Sequence, residues 1–233
     1  MRAVTDYARA HKNNIACSVE LRSCLQLNDI NTPSFRASCY GNYVTVWAEL
    51  KCTGRILHME RLIRQRSRGR RAMIVRQALR QYRTLQALRD TISPTQEFMR
   101  IVLVRDLSFE TTNSYKWVKM GFLRVAIRTL LDQVRLVGIS HQSQFEYRIR
   151  SAGLSGIADI YDECTGTVIE IKTCRFVPKE AFAQVTLYAH MLSAKRAFVC
   201  NCVDGGVWQL RPNITNKGEQ WLDFKALSLC SST

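Results

Sequence analysis

A chain of 233 residues, 46% of them hydrophobic, can bury an ordinary core, either as one large domain or as a domain with a sizeable extension. Its 34 lysines and arginines against 19 acids leave a formal charge of +15, an excess that favours a polyanion, nucleic acid or an acidic membrane surface. No apolar run reaches the roughly 18 residues of a spanning helix, and the opening MRAVTDYARAHKNN lacks the apolar middle of a secretory signal. Asp6 and Glu20 interrupt any organelle-targeting pattern, so the expected location is intracellular, nucleus or cytoplasm, and not secreted. Nine cysteines show no repeated C-x-x-C spacing, which argues against a zinc ribbon and for free thiols.

In chain order, a helix is expected at about 15–27, then turn signals at Asn28, Asp29, Asn31 and Pro33. The alternation of YVTVWAELK predicts a strand at 43–51. Residues 55–90 are the most basic stretch. Ile74, Ala78, Leu85 and Leu88 recur near helical spacing, and arginines cover the rest, with Gly69 marking a break or an exposed loop. Lysine and glutamate would solvate a helix face equally well. Arginine offers forked donors matched to phosphate, so Arg66, Arg68, Arg70 and Arg71 are read as phosphate contacts. An interfacial membrane helix would need a Trp/Phe/Leu face, which this stretch lacks, so no membrane partner is expected.

Ser93 and Pro94 mark the best domain boundary, dividing 1–93 from 94–233. A strand is expected at 99–104, a polar loop at 111–114, and a long amphipathic helix at 115–137 with Phe122, Ala126, Leu130, Val134 and Val137 on one side. Strand 144–150 follows. Runs 157–162 and 167–172 flank a polar turn with Gly166, the mark of a β-hairpin. If Ile160 faces Ile169, Ala158 faces Ile171 and one side is continuously apolar, while Asp159 opposes Glu170 with Lys172 on the same side. Opposed Cβ atoms lie about 4.5–5.5 Å apart, so two carboxylates there repel unless a positive charge intervenes. A hard divalent cation with oxygen ligands would answer that need, and so would Lys172 alone. The next helix, 179–192, carries Gln184 and Tyr188 on one face. A second hairpin, 197–203 with 207–211, turns at Asp204-Gly205-Gly206, and Trp221 and Phe224 would anchor the tail.

The combination Gly153-Leu-Ser-Gly-Ile-Ala-Asp159, then Glu170-Ile171-Lys172, then Gln184-x-x-x-Tyr188 resembles the PD-(D/E)xK nuclease superfamily, in particular the RecB-type branch with the QxxxY motif. The resemblance covers about 145–210. It implies an α/β fold: a restriction-endonuclease-like core with a mixed central sheet flanked by helices, over 94–233, preceded by a mostly helical, arginine-rich accessory region. It implies that Asp159, Glu170 and the Ile171 carbonyl ligate Mg²⁺ or Mn²⁺. Lys172 becomes the catalytic lysine, and Gln184 and Tyr188 the helix pair that holds the nucleic-acid strand or braces the site. The implied activity is phosphodiester hydrolysis, foremost by a DNA exonuclease of replication, recombination or repair. An RNA endonuclease on the same core and a non-catalytic nucleic-acid-binding protein are the alternatives; no protein partner is implied.

Two departures stand out. Relatives with a Gly-x-x-x-His motif add a histidine ligand, but Gly121 here is followed at that spacing by Val125. His141 is a conceivable substitute, and Glu110 or Glu146 a conceivable upstream acid. Iron–sulfur relatives place one cysteine before the core and three after it; Cys200, Cys202 and Cys230 do not match that spacing, so no cluster is expected.

Each phosphate neutralised on a single strand steepens the log–log salt dependence of affinity by about 0.7. Replacing Arg66, Arg68, Arg70 and Arg71 with glutamine should therefore flatten that slope by up to about 2.8, equally for unrelated sequences. An unchanged slope in a salt titration would make the stretch a solvated surface.

Overall fold

The expected hairpin is the centre from which one sheet grows. A computed structural model of the protein describes residues 2–11, 34–57, 76, 80, 82–84, 119–151, 153–214 and 220–227. Along these run β1 (Arg2–Ala3), α1 (Val4–His11), α2 (Ser34–Thr53), α3 (Met120–Val137), β2 (Gln144–Ser151) and β3 (Leu154–Asp162). They continue with β4 (Thr167–Lys172), α4 (Lys179–Met191), β5 (Arg196–Asn201), β6 (Val207–Ile214) and β7 (Gln220–Leu227). The chain divides into two compact units, Met1–Ala37 with Thr129–Thr233, and Ser38–Arg128. The expected elements at 15–27 and 99–104, the loop at 111–114, the Ser93-Pro94 boundary and Arg66, Arg68, Arg70 and Arg71 lie outside the described residues.

The first unit is an α/β fold on an open, mixed sheet, ordered β1-β3-β4-β5-β6-β7 with β2 also paired to β3. Antiparallel pairs join β2 to β3, β3 to β4, β5 to β6 and β6 to β7. The parallel pair β4/β5 cannot be joined by a tight turn, and α4 makes the crossover. This helix lays Phe182, Val185, Tyr188 and Ala189 on one face of the sheet, against Val168, Ala197, Val199, Trp208 and Leu210. Its C-terminus closes with Ala194 N–H on the Ala189 carbonyl at 2.8 Å, around Ser193 at φ 50°. Val4 of α1 joins the same cluster. On α3, Gln133 is buried among apolar positions because its amide donates to the carbonyls of Asn201 (2.9 Å) and Gly206 (3.0 Å).

The hairpin turn is organised by Asp162. Its buried carboxylate accepts Ser140 N–H (2.5 Å), Ser140 O–H (3.0 Å), Cys164 N–H (3.0 Å) and Thr165 N–H (3.4 Å). Gly166 completes the reversal at φ 62°, a conformation glycine adopts without steric cost. The register is the expected one, with Ile160↔Ile169 and Asp162↔Thr167.

Three expectations are corrected. Residues 43–51 are not a strand; they lie within α2. Tyr43, Val44, Thr45, Val46, Trp47, Ala48, Glu49 and Leu50 are all buried. A helix covered on every side has no polar face, so its sequence loses the helical period and its β-branched residues imitate a strand. Gly54, at φ 71°, ends the helix with its N–H on the Leu50 carbonyl. Within this second unit Leu57 N–H reaches the buried Glu49 carboxylate at 2.9 Å, and Ile56 N–H the Tyr82 hydroxyl at 2.8 Å. The tail, in turn, is not only a pair of anchors: residues 220–227 form the strand β7 on β6.

The third correction concerns faces. Ala158 packs in the cluster under α4 with Val168 and Tyr161, whereas its expected companions Ile160 and Ile169 are buried outside that cluster. Strict alternation would put Ala158 and Tyr161 on opposite faces. The phase changes at Glu146 and Asp159. Phe145↔Ile160 and Tyr147↔Ala158 are paired on either side of them, they are not, and Glu146 has φ 53°. The ladder is interrupted by one residue on each strand, with the register unchanged across it, and β2 and β3 turn over together there.

Asp162 is the residue whose loss should loosen the hairpin. Burial alone would raise its pKa, but the Ser140 and Thr165 hydrogen bonds outweigh that and hold the carboxyl below its ordinary value. The stability this contributes is present above the unfolded pKa, about 3.9, and is lost as pH falls through the lower folded pKa. Asp162→Ala should cost about 3 kcal/mol in urea unfolding at pH 7 and flatten the acid limb of the stability curve. A variant within about 0.5 kcal/mol of the parent would deny the turn this role.

Candidate active site

Where β3 and β4 part, two backbone donors need new partners. Along one edge of β3, Leu154 and Ser155 pair with β1 and residues 160–162 with β4. Residues 156–159 pair with neither strand. A buried N–H left unpaired is costly, so the gap must be closed by side chains. Ile157 N–H donates to the Tyr188 hydroxyl of α4 at 3.3 Å, and Ile171 N–H on β4 donates to Asp159 Oδ2 at 2.6 Å. The opening in the ladder is therefore what brings Asp159, Tyr188 and β4 together.

On β4, Glu170 is 3% exposed and Lys172 partly buried. Lys172 Nζ lies 2.5 Å from Glu170 Oε1. Glu170 Oε2 is buried without a hydrogen-bond partner. Burial, reinforced by the Asp159 charge and only partly offset by Lys172, pushes the Glu170 carboxyl up to about 8. Burial works against the Lys172 charge, but Glu170 and Asp159 outweigh it and hold the ammonium protonated. The Lys172 ammonium thus lies in the field of both carboxyl groups.

Gln184 and Tyr188 meet as their spacing predicts, with Gln184 Nε2 donating to the Tyr188 hydroxyl at 2.9 Å. The hydroxyl thus accepts from both Gln184 and Ile157. Burial first, then the Glu170 charge, push the Tyr188 phenol up to about 12. Tyr188 is 1% exposed and braces β3, while Gln184 is half-buried.

The five residues expected from the sequence, Asp159, Glu170, Lys172, Gln184 and Tyr188, thus converge on one place, with Ile171 joined through its N–H. His141 is exposed in the loop before β2, and Glu110 lies outside the described residues. Glu146 stands where the register of β2 would meet Asp159. Even so, among the described residues no three His, Cys, Asp or Glu side chains gather closely enough to hold a metal ion. A cation here would rely on Asp159, Glu170 and a backbone carbonyl. The residues fit that role: a hard cation takes oxygen ligands, and Glu170 offers a buried oxygen with no donor of its own. The described cysteines 52, 164, 174, 200 and 202 are free thiols, and burial pushes Cys200 up to about 12, where it is inert.

Sequence reading quoted Gly156 only within the Gly153–Asp159 stretch, without a role, and overlooked Asn201. A Cβ on Gly156 would lie 2.6 Å from Tyr188 Cε1 and 2.9 Å from its hydroxyl, so only glycine lets the ring rest against β3. The signal was a glycine inside a strand pattern, which often marks a close approach. Asn201, fully buried at the end of β5, donates to the Cys174 carbonyl at 2.8 Å and fixes the segment after Lys172.

Comparisons of the chain with models of protein families, with curated proteins and with solved structures find no match.

Gly156→Ala should force the buried Tyr188 ring away and cost about 1–3 kcal/mol. Tyr188→Phe keeps the ring but leaves Ile157 N–H and the Gln184 amide without an acceptor, and should cost about 1–3 kcal/mol as well. Thermal melts of both variants test the brace; parental melting temperatures would show that α4 does not hold the open edge of β3.

Proposed function

We propose that the protein is a Mg²⁺- or Mn²⁺-dependent nuclease that hydrolyses phosphodiester bonds of DNA on a restriction-endonuclease-like core of PD-(D/E)xK type. The observation that carries this reading is the buried Glu170, one oxygen on Lys172 and the other without a donor, beside Asp159. A sheet that buries this charge without completing its partners is suited to receive a cation. Asp159, Glu170 and the Ile171 carbonyl would hold it, and a bound divalent ion would polarise the phosphate and lower the pKa of water.

The chain's own residues supply the rest. Lys172, near both carboxyl groups and partly exposed, would exchange its contact with Glu170 for a phosphate oxygen and stabilise charge developing there. Gln184 would bind the strand, and Tyr188 would keep β3 and α4 in register. The arginine-rich stretch at 55–90 would grip the backbone without reading bases. A DNA exonuclease of replication, recombination or repair, acting in the nucleus or cytoplasm, is the form of the activity proposed. No helix among the described residues is long and apolar enough to cross a membrane.

The direct contact between Lys172 and Glu170 favours a second reading, in which Lys172 only neutralises Glu170 and the chain binds nucleic acid without cutting it. End-labelled single- and double-stranded DNA and matched RNA, with Mg²⁺ or Mn²⁺, separate the two. The nuclease reading expects cleavage that Asp159→Asn and Glu170→Gln abolish. It expects Lys172→Ala to slow turnover about a hundredfold or more while affinity holds. Manganese should stabilise the parent by about 2.7 kcal/mol at a hundred times its Kd, and neither carboxylate variant. Binding by the parent with no cleavage under either metal, together with a lower melting temperature for Lys172→Ala, would establish the counter-charge reading.

A further inference from the structure

The segment 173–178 runs from Lys172 at the end of β4 to the start of α4, and so links the two halves of the candidate site. It carries Phe176, 70% exposed and the most exposed of the large hydrophobic residues among those described. Single exposed apolar residues are normal on protein surfaces. Two further features set this one apart. The segment is fastened around it: buried Asn201 holds the Cys174 carbonyl, the Cys174 thiol donates to the Phe176 carbonyl at 3.1 Å, and Val177 packs against the core under α4. The Arg175 guanidinium also lies over the ring, 5.2 Å from its centroid. Core and hydrogen bonds are both within reach of this segment, yet the ring stays in solvent with a cation on it.

We propose that Phe176 and Arg175 form a stacking platform for an unpaired base of the strand whose backbone enters the site. A phenyl ring accepts any base on its face, while Arg175, with Lys179 exposed at the start of α4, offers charge to the adjoining phosphates. This rests on the nuclease reading for its position but predicts binding on its own. The ligand chemistry is an unstacked base flanked by phosphates. Single strands and frayed ends supply it, and an intact duplex does not.

The test uses the full chain without metal. In Phe176→Trp, a single-stranded dodecamer should quench the new fluorescence saturably, and a blunt duplex of the same length should quench it far less. Phe176→Ala should weaken binding of the single strand about tenfold, with Phe176→Leu as weak and Phe176→Tyr close to the parent. Melting temperatures should be unchanged in all of them, since the ring is exposed. Under turnover, Phe176→Ala should raise KM about tenfold and spare kcat. Parental binding by Phe176→Ala, or rescue by leucine, overturns the platform and leaves cleavage by the parent to stand. Absence of any metal-dependent cleavage, with the tyrosine-over-leucine order intact, overturns the nuclease reading and leaves the platform standing.

Discussion

Glu170 is a carboxylate buried in the middle of a sheet with too little around it to satisfy it, and the site is built around that deficit. Removing an ionised carboxylate from water is tolerated only when partners replace its solvation. Lys172 supplies one partner. The second oxygen has none, and the nearby Asp159 worsens the balance, which is why the carboxyl is driven up to about 8. A buried ion pair with perfect partners is already weak evidence for stability, because well-packed apolar residues of similar volume serve as well or better. An incomplete one is a standing cost to the fold.

The surroundings show how the fold carries that cost. Asp159 can approach β4 only because the β3/β4 ladder stops after Ile160↔Ile169, and stopping a ladder exposes backbone donors. The two donors in question, on Ile157 and Ile171, are taken up by Tyr188 and by Asp159 itself. Tyr188 can reach its place because position 156 has no side chain, and Gln184 fixes the hydroxyl from one turn earlier on α4. The turn-over of β2 and β3 at Glu146 and Asp159 belongs to the same device. It lets Ala158 and Tyr161 both face α4 and leaves Asp159 outside the regular pairing.

Much of this was legible in the sequence. The hairpin register followed from polarity, because a one-residue slip would have put polar groups on both sides, and the α4 pair followed from a spacing of four. Three things were hidden, each for a physical reason. Residues 43–50 of α2 are buried without a break, so burial erased the periodicity that distinguishes helix from strand. The phase change in β3 breaks the alternation on which any assignment of faces depends, and an interruption at an ordinary Glu and Asp leaves no compositional mark. Gly156 and Asn201 act through close approach and through a carbonyl far along the chain, which spacing rules do not see.

The same geometry weighs on the two roles open to Lys172. If neutralisation were its whole purpose, its three donors would be best used in covering both oxygens of Glu170, or in bridging Glu170 to Asp159. Instead it meets Oε1 alone and leaves Oε2 bare, with part of its own side chain reaching solvent. A lysine committed only to stability has no reason to leave a buried oxygen unanswered beside a second carboxylate. A lysine that shares Glu170 with a cation does, since a hard ion needs an oxygen free of donors while an ammonium must stay near enough to the surface to meet a phosphate. The pairing that looks incomplete in the protein alone is compatible with the metal-assisted hydrolysis proposed above, in which a cation would take Oε2 and a phosphate would take Lys172.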